Sequence, residues 1–241
     1  MELNDYIKYT IEAFKRNGLA SIINEDKANK LYLLYHLLIE TNKTTNLTAI
    51  TDEIEVIYKH FIDSATISRD IPPNSTVIDV GCGAGFPTLP LAILRSDIKI
   101  TAIDSTGKKI NFVSRAACKL NLTNVEAICA RAEDFSKLRR ESFDICTSRA
   151  VARLNVLSEL CIPFIKAGGR FIAMKSSKMS EEYAEAKCGI SKLGCQLKSE
   201  NSVEIKWGNS SLTREIYVFI KTQNTPAAYP RNYSQIVKKP L

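Results

Sequence analysis

The chain has only two histidines and one tryptophan among its 241 residues, and its seven cysteines form no Cys-x-x-Cys pair. Scarce histidine and scattered cysteine leave no zinc or dithiol motif, so no metal is expected. Unpaired thiols of this kind suit a reducing compartment, and a cytoplasmic location is expected. No apolar run approaches the ~18 residues of a membrane helix, which excludes a membrane protein of that type. The first residues, Met1-Glu2-Leu3-Asn4-Asp5, lack the basic-then-apolar order of a secretory leader. Repeats and low-complexity tracts are missing too. What is present is the composition of a globular domain: 45% hydrophobic, 24% charged and a net charge of +7. That charge favours a polyanionic partner.

The chain divides near residue 70. Residues 1–70 read as a helical extension packed on the core. Ala28, Leu31, Leu34, Leu37 and Leu38 recur at helical spacing, with His36 expected as a packed helix residue rather than a ligand. Residues 71–241 alternate short apolar runs with amphipathic helices, the pattern of βαβ units and a parallel sheet. Strands are expected at Thr76–Val80, Lys99–Asp104, Val125–Ala130, Phe143–Ser148 and Arg170–Lys175. Helices are expected at Pro87–Arg95, Lys108–Leu120, Leu154–Phe164 and Ser180–Leu193. The last two strands, Gln196–Ile205 and Thr213–Lys221, are separated only by Lys206–Leu212. That is too short for a crossover helix, so they should form an antiparallel hairpin. The expected fold class is α/β: a Rossmann-like doubly wound sheet, mostly parallel with an antiparallel C-terminal hairpin, in the class I methyltransferase variant.

The strongest local signal is Val77-Ile78-Asp79-Val80-Gly81-Cys82-Gly83-Ala84-Gly85-Phe86-Pro87. A strand runs into a glycine turn, and a helix follows. Glycines let the backbone approach a ligand closely, and the helix offers free N–H groups. The dinucleotide fingerprint G-x-G-x-x-G fails, because Phe86 stands where its third glycine belongs. The spacing G-x-G-x-G after an acidic residue is the S-adenosylmethionine form. Gly81, Gly83, Gly85 and Phe86 are therefore expected at the cofactor. Asp104 ends the second strand about twenty residues on, where a carboxylate can hold ribose hydroxyls. Ala130-Arg131-Ala132-Glu133-Asp134 follows the third strand, and in this fold that turn borders the adenine.

These residues resemble the bacterial 16S ribosomal RNA guanine-N7 methyltransferases, the glucose-inhibited division protein B family. The resemblance runs from about Asn46 to Leu241. It is carried by Asn46-Leu47-Thr48, His60-Phe61-Ile62-Asp63-Ser64, Asp79 through Pro90, Asp104-Ser105-Thr106-Gly107-Lys108-Lys109, Arg131-Ala132-Glu133, Ser148-Arg149-Ala150, Tyr229-Pro230-Arg231 and Lys239-Pro240-Leu241. It departs from the family at Cys82, Thr88 and Lys109, and in a tail that lacks the Gly and extra Pro common between its Arg and Lys. The resemblance implies S-adenosylmethionine as cofactor, with Gly81, Phe86, Ala132, Glu133 and Arg149 lining its site. It implies one guanine of 16S ribosomal RNA, free or within the small ribosomal subunit particle, as substrate. Asn46 and His60, from two of these motifs, are expected at the RNA. A monomer is expected.

Guanine N7 carries no proton, so its methylation needs no base, and alignment dominates. The two histidines suit this. An exocyclic-amine enzyme would show Asn-Pro-Pro-Tyr after the fourth strand, where this chain has Thr147-Ser148-Arg149-Ala150. Cys146 lies within that strand with no basic partner, as a core residue rather than a nucleophile. A ribose 2′-O enzyme could use Lys175, yet Asp144 sits at the wrong end of strand four. Arg149 and Lys175 remain the candidates for a catalytic role. Arg149 should hold the cofactor carboxylate or a phosphate rather than face N7. Arg231, Lys238 and Lys239, with Lys221, Tyr229 and Tyr233, are expected to meet RNA. Lys166, Arg170, Lys175 and Lys178 form a second stretch without acids. The rival readings are a nicotinamide-dependent oxidoreductase and a non-catalytic RNA-binding module.

Overall fold

The computed structural model describes residues 1–149, 152–175 and 179–241. Ala150 of the motif above and Lys178 lie outside that range. The described residues form a seven-stranded sheet of order β3-β2-β1-β4-β5-β7-β6. Its strands are β1 (Thr76–Val80), β2 (Lys99–Asp104), β3 (Val125–Cys129), β4 (Phe143–Arg149), β5 (Ile165–Lys175), β6 (Cys195–Trp207) and β7 (Ser210–Lys221). The first five are parallel, whereas β7 runs antiparallel to both β5 and β6. The hairpin strands are longer than their apolar pattern suggests. Trp207 pairs with Ser210, so only Gly208 and Asn209 join them. Paired backbone carries polar residues such as Lys206 and Ser211 into the ladder without any burial of their side chains.

Each central strand buries both faces, as parallel strands do. Val77, Ile145, Ile172 and Met174 join one apolar cluster; Ile78, Val80, Cys146, Phe171 and Ala173 join the other. On the second face lie α7 (Ala132–Leu138), α8 (Leu154–Cys161) and α9 (Met179–Lys192), of which α7 is a helix the apolar pattern does not announce. On the first face lie α5 (Thr88–Leu94) and α6 (Gly107–Lys119), together with the N-terminal helices.

Those helices are α1 (Leu3–Arg16), α2 (Glu25–Asn42), and the run of α3 (Glu53–Val56), a π-helical segment (Ile57–Ile62) and α4 (Asp63–Ala65). Asn24 caps α2 through its side chain, which accepts from the Lys27 N–H at 3.0 Å. Ala28, Leu31, Leu34 and Leu38 are fully buried on one face. His36 stands exposed, its ring edge-on to Tyr32 at 4.3 Å. Tyr6, Phe14, Leu31 and Phe61 share one cluster with Val77, Ile172 and Val218, so residues 1–70 complete the sheet's own core. Polar ties reinforce the join. Asn17 exchanges two hydrogen bonds with the Lys206 backbone, and Arg170 donates to the Asp70 carbonyl at 2.7 Å. Beyond β7 the chain folds back over α8 and ends with α10 (Tyr233–Lys238). No helix among the described residues is long and apolar enough to cross a membrane.

Candidate active site

The strand order reverses between β1 and β4, because β1 leads to β2 on one side while β4 lies on the other. Doubly wound sheets bind ligands at the carboxyl ends of strands around such a point. Here the end of β1 is the glycine turn. Gly81, Gly83 and Gly85 have φ of 72°, 56° and 83°, a region that side chains with a Cβ rarely adopt. The Gly81 and Cys82 N–H groups donate to the Ile103 carbonyl at 2.8 and 3.0 Å, which moors the turn to β2. A Cβ at Gly85 would sit 2.6 Å from the Leu89 side chain, so this glycine serves the packing of α5 against the turn.

Two cavities flank this turn, and Gly81 lines both. The first, of about 300 Å³, lies between the ends of β1, β2 and β3. Val80, Ile103, Ala132 and Leu160 give it apolar walls; Asp104 and Glu133 give it carboxylates. Asp104 accepts from the Gly83 N–H at 3.1 Å and the Thr106 N–H at 2.8 Å, so one side chain sets the turn and the start of α6 together. Glu133 is buried and opens the first turn of α7, where the helix dipole favours a carboxylate.

Behind the turn sits Asp79, fully buried. Thr88 donates its hydroxyl to Oδ2 at 2.6 Å, while Oδ1 has no partner within the chain. Burial pushes the Asp79 carboxyl up to about 6, against the opposing pull of the Thr88 hydrogen bond. The Thr88 departure from the family pattern thus satisfies a buried oxygen.

The second cavity, of about 380 Å³, lies on the far side, lined by Leu47, Thr48, His60, Phe86, Arg149 and Arg214 among others. Its frame is an ion-pair knot. Asp63 is fully buried and holds both Arg149 (2.8 Å) and Arg214 (2.6 and 2.9 Å). Arg149 ends β4 and Arg214 belongs to β7, so one carboxylate ties three distant parts of the chain. Arg149 also donates to the Lys59 carbonyl at 3.1 Å, in the π-helical segment. Widened turns of this kind recur at functional sites.

His60 stacks on Phe86 with ring centroids 4.3 Å apart. Its Nε2 lies 2.9 Å from the Thr48 hydroxyl, and Nδ1 lies 3.1 Å from the Lys59 carbonyl. The Lys59 carbonyl can only accept, so Nδ1 carries the proton and donates to it, and the Thr48 hydroxyl donates to the unprotonated Nε2. Burial, then the nearby Arg149 charge, lowers the His60 pKa to about 4, so the ring is neutral. Asn42, which the sequence reading passed over, fixes the loop before it: Oδ1 accepts from Leu47 and Thr48, and Nδ2 donates to the Thr48 carbonyl. An Asn closing α2 followed by a polar run is the signal that could have found it.

The family model of GidB, rRNA small subunit methyltransferase G, matches residues 27–213. The chain belongs to this family. Ribosomal RNA small subunit methyltransferase G of Clostridium perfringens (strain SM101) is 46% identical over 222 residues, covering 90% of this chain and 92% of that protein. The Staphylococcus aureus (strain Newman) protein of the same name is 41% identical over 238 residues and covers 98% of each. Among solved structures, TYW2 of M. jannaschii, in complex with AdoMet, superposes with TM-score 0.56 at 19% identity, over 72% of this chain and 79% of that one. A SAM dependent methyltransferase from Aquifex aeolicus gives TM-score 0.53 at 20% identity, over 70% and 94%. These two likenesses show the shared fold. The chain is an rRNA methyltransferase on the class I fold, and S-adenosylmethionine is its cofactor. The first cavity fits that group: it has apolar walls and two carboxylates beside a positive-φ glycine turn.

The structure divides the residues expected at the cofactor between the two cavities. Asp104, Ala132 and Glu133 line the first; Gly83, Phe86 and Arg149 line the second; Gly81 lines both, and Gly85 neither. Lys175 ends β5 against Glu182 at 2.8 Å and the Ala152 carbonyl, away from both cavities. Cys146 is fully buried, and burial pushes its thiol well above the ordinary range, which removes it as a nucleophile. Asn46 is exposed beside Leu47 and Thr48.

The basic stretches are rearranged. Lys221 is buried, bound to Glu141 at 2.9 Å. Arg231 clasps the fully buried Glu159 through its backbone N–H (2.8 Å) and guanidinium (2.9 and 2.5 Å). Lys166 pairs with Asp144, and it lies at the opposite end of β5 from Lys175, so these two cations form no common patch. Lys238 and Lys239 are exposed.

Proposed function

We propose that this methyltransferase transfers the methyl group of S-adenosylmethionine to N7 of one guanine in 16S ribosomal RNA. The observation that carries the reading is the pair of cavities meeting at Gly81. One cavity fits the cofactor; the other has the features of a base and its phosphate. The His60–Phe86 stack offers an aromatic wall of the kind on which unpaired bases lie. Arg149 and Arg214 share a single carboxylate, so the three side chains together keep one positive charge, suited to a phosphate.

The cofactor supplies an electrophilic methyl on a sulfonium, and the protein's contribution is alignment. A neutral His60 adds no charge against the purinium that forms. Asp104 and Glu133 hold the cofactor, and Arg149 and Arg214 orient the substrate backbone. Asn46, on the exposed loop leading to Thr48, contacts flanking RNA, as do Lys238 and Lys239. The enzyme works as a cytoplasmic monomer in which residues 1–70 extend the methyltransferase domain. The test is tritiated methyl transfer to small-subunit RNA and to the assembled particle, followed by nucleoside analysis. Label in 7-methylguanosine is expected; label in another nucleoside overturns the acceptor, and no transfer to either substrate overturns the reading.

A further inference from the structure

The family match ends at residue 213, and the chain beyond β7 carries a feature that the match does not cover. Tyr233, the first residue of α10, lines the cavity of Asp104, Ala132 and Glu133. Two anchors set it there. On one side Arg231 clasps Glu159 of α8, a fully buried carboxylate. On the other Ile236 is fully buried against Val156 and Leu160 of α8. Leu160 itself lines the same cavity. Upstream, Arg140 donates to the Tyr229 carbonyl at 2.7 Å, which fixes the approach of the tail.

Between these anchors the Tyr233 ring remains 45% exposed. Its own burial therefore does not account for its place. A rigid aromatic ring held at the edge of a cavity by neighbours that are themselves locked has the form of a ligand contact. The cavity is lined also by the turn after β3, which borders the purine end in this fold, and Ala132 of that turn packs against the Val156, Leu160 and Ile236 cluster that seats the tail.

We propose that Tyr233 is a cofactor-binding residue that closes the adenosine end of the cavity by packing its ring against the purine, with the Glu159–Arg231 ion pair as the positioning device. The tail is then a wall of the cofactor site as well as a carrier of exposed lysines. This rests on the first cavity being the cofactor site.

Calorimetry on the full chain tests it, with S-adenosylhomocysteine and 5′-methylthioadenosine as probes and Tyr233→Ala and Tyr233→Phe as variants. Tyr233→Ala should weaken both probes by about tenfold, the worth of one aromatic contact with its buried area. The loss should be equal for the two, since both carry the purine and only one the amino acid. Tyr233→Phe should stay near wild type. The ligand-free melting temperature of Tyr233→Ala should also match wild type, because the ring is half exposed. Wild-type affinity for both probes in Tyr233→Ala overturns the proposal. Unchanged probe affinity with weakened RNA binding reassigns the ring to RNA and overturns it likewise. A ligand-free melting loss that accounts for the weaker binding assigns the ring to the fold. If the wild-type chain binds neither probe, the cofactor reading of the cavity itself fails.

Discussion

The two sides of the glycine turn are built by different rules. The side proposed for the cofactor is made from the ends of three consecutive strands, each followed by its own short turn, so its residues come in compact motifs. The side proposed for the substrate gathers residues 47–60, 149 and 212–214 around one buried carboxylate. Local backbone geometry shapes the first, and a long-range ion-pair knot holds the second. The first should therefore fail by losing ligand and the second by losing fold.

The largest expected effect breaks the knot. Asp63→Ala leaves two part-buried guanidinium groups unpaired and should cost about 3–5 kcal/mol. Urea denaturation measures it, and a cost below about 1 kcal/mol would show that the substrate side does not depend on the pair.

Next comes pH, where the two sides have opposite signs. Asp79 has a folded pKa near 6, above its ordinary 3.8. Its contribution is favourable below 3.8, is lost as pH rises toward 6, and is a constant cost beyond. Asp79→Asn should then stabilise by about 3 kcal/mol at pH 8 and almost nothing at pH 4. His60 has a folded pKa near 4, below its ordinary 6.5, so its contribution is lost as pH falls from 6.5 to 4. Denaturation of wild type and Asp79→Asn across pH 4–8 reads both signs; parallel curves would refute the Asp79 assignment.

Asp104→Ala should weaken S-adenosylhomocysteine about 10- to 100-fold, the range of a hydrogen bond to a charged group. Its melting temperature should fall less than that of Asp63→Ala, because Asp104 is part-exposed and ties only local N–H groups. Equal melting losses would erase the contrast between the two sides.

The smallest effect lies on the tail. Lys238→Gln with Lys239→Gln should flatten the log-affinity against log-salt slope for RNA by about 1.4, at about 0.7 per contact. Arg231→Gln should lower stability instead, since its charge is already spent on Glu159. A salt titration separates these, and coincident slopes for the double lysine variant would remove the tail from the RNA interface.

Much of the fold follows from short-range patterns. Both β1 and β2 begin and end where their short apolar runs do, and the glycine turn closes β1. The helix α7 escapes notice because Glu133, Asp134 and Lys137 leave its seven residues little apolar periodicity. The tail looks like a basic, acid-free segment made for phosphate. Glu159, 72 positions away, converts Arg231 into a structural clasp. Lys221 is converted in the same way by Glu141.

The sequence by itself determined the doubly wound sheet, the cofactor class and the position of the glycine turn, because each depends on residues within one strand–turn–helix unit. Only the tertiary structure decided that two cavities meet at Gly81, that Arg149 and Arg214 share Asp63, and that Tyr233 lines the cavity of Asp104 and Glu133. Those facts depend on pairs of residues far apart in the chain. No local periodicity records which buried carboxylate will meet which distant cation until the sheet has brought them together.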